Sequence, residues 1–160
     1  MHPMTVALFC LAVSSCALNP YQGEDRRATL IPLGSQFEIT KPFVIPAREL
    51  AVYFRLGNVV GPTAGDELEY TCELNVLGRS DRDRPIASGT FSLTENRHYE
   101  TKVARDSVIQ ENRFYLRSPQ HPELDKLFCR ATTYPPNFDP LTIAGLREAL
   151  GAYFRVDLAE

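Results

Sequence analysis

Four cysteines carry the most reactive side chains of this chain, and their placement divides them into two pairs. Cys10 and Cys16 stand close together in an apolar N-terminal run, whereas Cys72 and Cys129 stand far apart in segments of alternating polarity. Cys72 shares an alternation face with Leu68, Tyr70, Leu74 and Val76, and Cys129 with Leu127 and Ala131. If both segments are strands, both thiols point toward a core. In an oxidising compartment two such thiols pair, and a closed loop of about 58 residues would stabilise the fold by roughly 4 kcal/mol. The alternative is two separate buried thiols. Neither cysteine has a second Cys or a His at ligand spacing, so a metal site is not expected there.

Other side chains could move protons or bind ions, and each also has a plainer reading. His98 lies in the polar stretch Glu95-Asn96-Arg97-His98-Tyr99, expected to be a turn, and His121 in the Pro-rich loop Ser118-Pro119-Gln120-His121-Pro122. A Ser-His-Asp arrangement is defined by geometry, and no Gly-x-Ser-x-Gly elbow is present, so both are expected to be exposed loop histidines. Glu67, Glu69 and Glu73 are carboxylates of the kind paired for glycoside cleavage. Glu69 and Glu73, however, fall on the face opposite the apolar one, as on a solvated sheet surface. Arg79, Arg82 and Arg84 could meet phosphate, but Asp81 and Asp83 between them neutralise most of that charge. Asp81-Arg82-Asp83 is too short of ligands for calcium, and the Gly57–Gly65 stretch lacks the Lys-Ser/Thr of a phosphate loop. The expectation is therefore no catalytic site, no metal and no cofactor. Basic and acidic residues, 17 and 20, are intermixed at a net charge of -3, which argues against nucleic acid as a partner.

The N-terminal run sets the address. No charged residue precedes Glu24, and residues 4–18 are almost all apolar or small. The apolar core of about a dozen residues suits a signal peptide, whereas a bilayer-spanning helix needs about 20. The run ends in Val13-Ser14-Ser15-Cys16, which resembles the lipobox of bacterial lipoproteins. That resemblance implies cleavage before Cys16, a diacylglycerol on its thiol and an acylated (palmitate-type) amine. Several acyl chains make attachment stable, at about 0.8 kcal/mol per buried methylene. Ala17, not Asp, follows the cysteine, which in this family implies sorting to the outer membrane. The n-region, Met1-His2-Pro3, departs from the pattern in carrying no Lys or Arg.

The elements that must position these residues are mostly strands. Residues 1–15 are expected to be the lipoprotein signal peptide, residues 16–28 the lipidated cysteine and its tether, and residues 29–160 a single β-rich domain. A coil of residues 17–28 would reach about 20 Å on average, holding the domain close to the membrane. Period-two alternation predicts strands near residues 37–40 and 43–45, broken by Pro42 and Pro46, then over 50–56 and 68–77. A turn-rich loop is expected at 57–66 and a charged, hairpin-like connection at 78–85. Further strands follow at 86–94, 99–103, 108–117 and 127–134. Asp139 or Thr142 can cap a short helix whose apolar face is Ile143, Leu146 and Leu150, with Gly151 ending it in a left-handed conformation. Phe154, Val156 and Leu158 close the fold as a last strand. The fold class is mainly β: an antiparallel β-sandwich or small barrel of about eight strands with one short C-terminal helix.

Function follows only in outline. The chain is similar to small proteobacterial envelope lipoproteins, which implies a non-catalytic, lipid-anchored protein of the periplasmic face of the outer membrane that binds or helps assemble another envelope protein. One alternative is an inhibitor of a cell-wall hydrolase. Tyr70-Thr71-Cys72 is similar to the Tyr-x-Cys element of the membrane-bound lysozyme inhibitors, although this chain has no Trp and lacks their Ser-Gly inhibitory segment. An envelope hydrolase is the remaining alternative.

Overall fold

The computed structural model describes residues 27–62, 69–104, 106–134 and 140–160. Cys16, the lipobox and the rest of the N-terminal run therefore lie outside the described residues, as do Glu67 and the candidate cap Asp139.

The alternating segments become ten strands among the described residues: β1 (Gln36–Ile39), β2 (Phe43–Ile45), β3 (Ala51–Arg55), β4 (Asn58–Val60), β5 (Thr71–Val76), β6 (Arg84–Ile86), β7 (Gly89–Ala104), β8 (Ser107–Arg117), β9 (Leu124–Thr133) and β10 (Phe154–Asp157). Eight of them form one antiparallel sheet in the order β10-β1-β7-β8-β9-β5-β3-β4, while β2 and β6 form a separate two-stranded ribbon. Alternation settles which face is buried. In β5, Cys72, Leu74 and Val76 are buried and the residues between them are not. In β8, Gln110, Asn112, Phe114 and Leu116 turn inward. One-sided apolar patterning of this kind makes the sheet curl around its own apolar face.

A single helix, α1 (Ile143–Leu150), closes the open side of the resulting half-barrel. Thr142 caps it, its Oγ1 accepting from Gly145 N–H at 3.0 Å. Ile143, Leu146, Ala149 and Leu150 are its buried face. The helix touches β3 and β5 toward one end of the strand order and β10 at the other, so it joins the two edges that the curl brings near each other. An aromatic seam runs through the same junction. Phe54 meets Phe43 at 5.3 Å, Tyr153 at 5.4 Å and Phe154 at 5.5 Å between ring centroids. Phe37, Phe91 and Phe114 fill the core beneath.

The sharpest packing constraint is a meeting of two glycines. β3 and β4 are joined by Leu56-Gly57, with φ of 46° and 72°. Two successive positive φ values make the turn that matches the twist of a hairpin. That turn abuts the end of α1, where Gly57 N–H donates to Ala149 O at 3.1 Å. Gly151 ends the helix at φ 53° and ψ -137°. The φ is positive, as expected, but ψ is not that of a left-handed helical cap, because the backbone must pass Gly57 at van der Waals contact.

Four local expectations differ from what forms. The stretch 57–66 is not wholly a loop, since Asn58–Val60 pairs with β3. Leu50 and Leu56 extend the apolar alternation of β3 in the sequence but fall just outside it and are 41% and 49% exposed; at Leu56 the tight turn cuts the strand short. The stretch 78–85 is not simply a connection, since Arg84–Ile86 pairs with β2. Residues 95–99 are not a turn but the middle of the 16-residue β7. Their polarity is tolerated because β8 pairs with them residue by residue through Arg97↔Arg113 and Tyr99↔Glu111, after a bulge between Leu93 and Glu95.

Candidate functional site

Cys72 on β5 lies directly opposite Cys129 on β9, and both side chains are fully buried. Their sulfurs are bonded at 2.05 Å, with the Cα atoms 4.0 Å apart. The pair of cysteines singled out in the sequence is thus brought together by strand register, at the centre of the sheet.

Beyond the aromatic core the inner face turns polar along β7 and β8. His98 faces Asn112, with Nδ1 3.2 Å from Asn112 Oδ1, and its Nε2 lies 3.3 Å from Glu100 Oε1. Tyr70 OH donates to Gln110 Oε1 at 3.2 Å, and Asn96 Nδ2 donates to Ala28 O at 2.9 Å. Asn112 and Gln110 are only 1% and 2% exposed. Asn112 Nδ2 and Asn96 Oδ1 make no hydrogen bond, which leaves each amide half-used. The Tyr-x-Cys element therefore turns both its side chains inward: Tyr70 packs on the core and Cys72 is bridged.

The opposite, outer face of β7, β8 and β9 carries a ladder of cations on aromatic rings. Arg97 and Arg113 are directly opposed, an unfavourable pairing taken alone. Each is neutralised by the glutamate two residues earlier on its own strand, Arg97 by Glu95 and Arg113 by Glu111 (Nε to Oε1, 2.6 Å). The Arg97 guanidinium lies 5.3 Å from the Tyr115 ring centre, and Arg113 lies 4.4 Å from Tyr99 and 4.9 Å from Phe128. Hydrogen bonds to Glu95 and Tyr99 push the Arg97 pKa up further. For Arg113, burial opposes the charge most strongly of any single cause, but the hydrogen bond and the charge of Glu111, joined by Tyr115 and Tyr99, together outweigh it and the pKa rises. Next in the strand order, Tyr53 on β3 faces Glu73 on β5, and burial followed by the Glu73 charge raises the Tyr53 pKa above its usual 10.0. Arg97 and Arg113 therefore stay charged, and Tyr53 neutral, near neutral pH.

His121 is not the exposed loop residue the sequence suggests. Its ring stacks on Phe91 at 5.7 Å, and its Nδ1 lies 3.2 Å from Glu123 Oε1. Any side chain on Gly89 would collide with it, 2.7 Å from Cδ2. The Pro-flanked loop was legible in the sequence, but its meeting with Gly89 and Phe91 was not. Beside it, Ser92, Arg117, Ser118, Pro119, Pro122 and Leu124 line an open cleft of about 370 Å³.

The remaining candidates are local. Arg84 donates to Gly78 O at 2.9 Å and Glu49 O at 2.8 Å, pinning its own loop, and Asp83 accepts from Ala47 N–H at 2.8 Å. Glu69 meets Arg55 at 3.7 Å. Glu73 accepts from Asn75 at 2.6 Å, so the two carboxylates face different partners. Among the described residues no three His, Cys, Asp or Glu side chains converge as metal ligands, and no helix is long and apolar enough to cross a membrane. No family model, no curated protein and no solved structure matches this chain.

Proposed function

We propose that this protein is a lipid-anchored component of the bacterial envelope that binds another envelope protein and catalyses nothing. The anchor is a lipid on Cys16, and the domain works at the periplasmic face of the outer membrane. Support for the address is the lipobox-like Val13-Ser14-Ser15-Cys16 behind an apolar run, together with a cysteine pair placed for a disulfide in an oxidising compartment. The observation that carries the binding role is the outer ladder of Arg97, Arg113, Tyr99, Tyr115 and Phe128. Arginine and tyrosine held rigid on a sheet lose little freedom on contact, and they are the residue types enriched at the centres of protein interfaces.

The test is recovery from detergent-solubilised envelopes after reversible crosslinking, with the native chain beside Cys16→Ser and Arg113→Ala. A partner enriched by the native chain, reduced with Cys16→Ser and lost with Arg113→Ala, is the expected result. Equal recovery of the same proteins by all three chains would count against both the anchor and the face. A hydrolytic activity of the purified protein on cell-wall material, abolished by His98→Ala, would replace this reading with an enzyme.

A further inference from the structure

The chain enters the domain through a short apolar turn whose side chains are not all used by the core. Ala28 and Ile31 point inward, whereas Leu30 and Leu33 stand 52% and 63% exposed. Leu33 is the most exposed large apolar residue among those described. The turn is nevertheless firmly held. Ala28 N–H donates to Leu141 O at 2.7 Å, Leu30 N–H to Arg27 O at 2.9 Å, and Gly34 N–H to Leu93 O at 2.8 Å. Arg27 also forms a β-bridge with Thr142. Both leucines are thus fixed outward on a frame tied to the start of α1 and to β7. From Arg27 to Phe37 the sequence holds no carboxylate, and its one charge is the cation Arg27 itself.

The covalent distance to the lipid site is short. Eleven residue steps separate Cys16 from Arg27. However that segment runs, Arg27 is no more than about 40 Å from Cys16. A tethered surface meets the membrane at high effective concentration, so even weak insertion sets which side of the domain faces the lipid. Leucine suits the headgroup boundary, and Arg26 and Arg27 balance Glu24 and Asp25, so the segment leading into the turn carries no net negative charge against anionic lipid.

Resting on the lipid-anchor reading above, we propose that the turn carrying Leu30 and Leu33, with Arg27 beside it, is the membrane-facing surface of the domain. It sinks both leucines into the interface of the same leaflet that holds the lipid on Cys16. A second copy of the chain or a protein partner covering these leucines would be a different answer, and the experiment separates them.

The chain has no Trp, so one introduced Trp reports alone. Leu33→Trp is compared with Val59→Trp, an exposed position on β4. Both full chains are produced with their own leader, acylation of Cys16 is read by intact mass, and the proteins are placed in phosphatidylcholine–phosphatidylglycerol vesicles containing lipids brominated near the headgroup. The expected result is blue-shifted, strongly quenched fluorescence for Leu33→Trp and neither effect for Val59→Trp. Equal or absent quenching in acylated chains overturns the proposal. A blue shift without quenching also overturns it, because it places the residue against protein. If Cys16 carries no lipid, the anchor reading is what fails. The surface is then decided by coupling Cys16 to a maleimide lipid in a Cys10→Ser background, where quenching upholds the surface and its absence overturns it. Retained unfolding midpoints show that the variants fold, and Leu30→Ser with Leu33→Ser should weaken vesicle association of the lipid-coupled chain about ten-fold.

Discussion

Gly151→Ala puts a methyl group where the β3–β4 turn already stands. The new Cβ would lie 2.2 Å from Gly57 Cα and 3.2 Å from Gly57 C and O, all backbone atoms that cannot rotate away. Alanine at φ 53° and ψ -137° stands outside the left-handed helical well, in a region that favours glycine, at about 1–3 kcal/mol for the backbone alone. Relieving the overlap moves the hairpin off the helix, at about 1–3 kcal/mol for forced repacking. It also stretches the bond from Gly57 N–H to Ala149 O, which contributes about 1 kcal/mol. The combined cost is about 3–7 kcal/mol, a large part of the 5–15 kcal/mol by which a typical domain is stable. Two companion variants separate the terms. Gly78→Ala, at φ 76° with nothing within 4 Å, carries the backbone cost only. Gly57→Ala, at φ 72° with its Cβ 3.3 Å from Gly151 Cα, adds a contact that small shifts can relieve. Urea unfolding with the disulfide intact should rank the losses Gly151 > Gly57 > Gly78 at similar slopes. If Gly151→Ala loses no more than Gly78→Ala, the helix end and the hairpin are not in contact and the closure of the half-barrel described above is wrong.

Removing the bridge by Cys72→Ala with Cys129→Ala should cost about 4 kcal/mol, read as a lowered denaturation midpoint, and thiol titration of the native chain should find neither cysteine free. Thr142→Ala removes the helix cap and should cost about 1 kcal/mol, with Thr142→Ser recovering most of it in the same unfolding assay. Tyr53 holds its proton more tightly in the fold than in the unfolded chain, so its contribution is complete below about pH 10 and is lost as pH rises through the folded-state value. Tyr53→Phe should therefore flatten part of the alkaline loss of stability, and tyrosinate absorbance of the native chain should show one residue ionising late.

The sequence by itself determined the class of the domain and the faces of its strands. Alternation in 37–45, 50–56, 68–77 and 154–158 is a local signal, because side chains on consecutive strand residues point to opposite sides whatever the topology. It also located the helix, through Thr142 ahead of the Ile143, Leu146 and Leu150 spacing, and it put Cys72 and Cys129 on apolar faces. Partners were another matter. Nothing local to Cys72 names Cys129 across 57 residues; only the β5–β9 register does. Nothing local distinguishes residues 95–99 from a polar turn, since what keeps them in a strand is β8 alongside. His121 looked solvated until Phe91 and Gly89, remote in sequence, came beneath it. Gly151 looked like an ordinary helix end until Gly57 arrived at contact distance. Each of these outcomes depends on which surfaces meet, and that is decided by the free energy of the whole packed core, which no single segment holds.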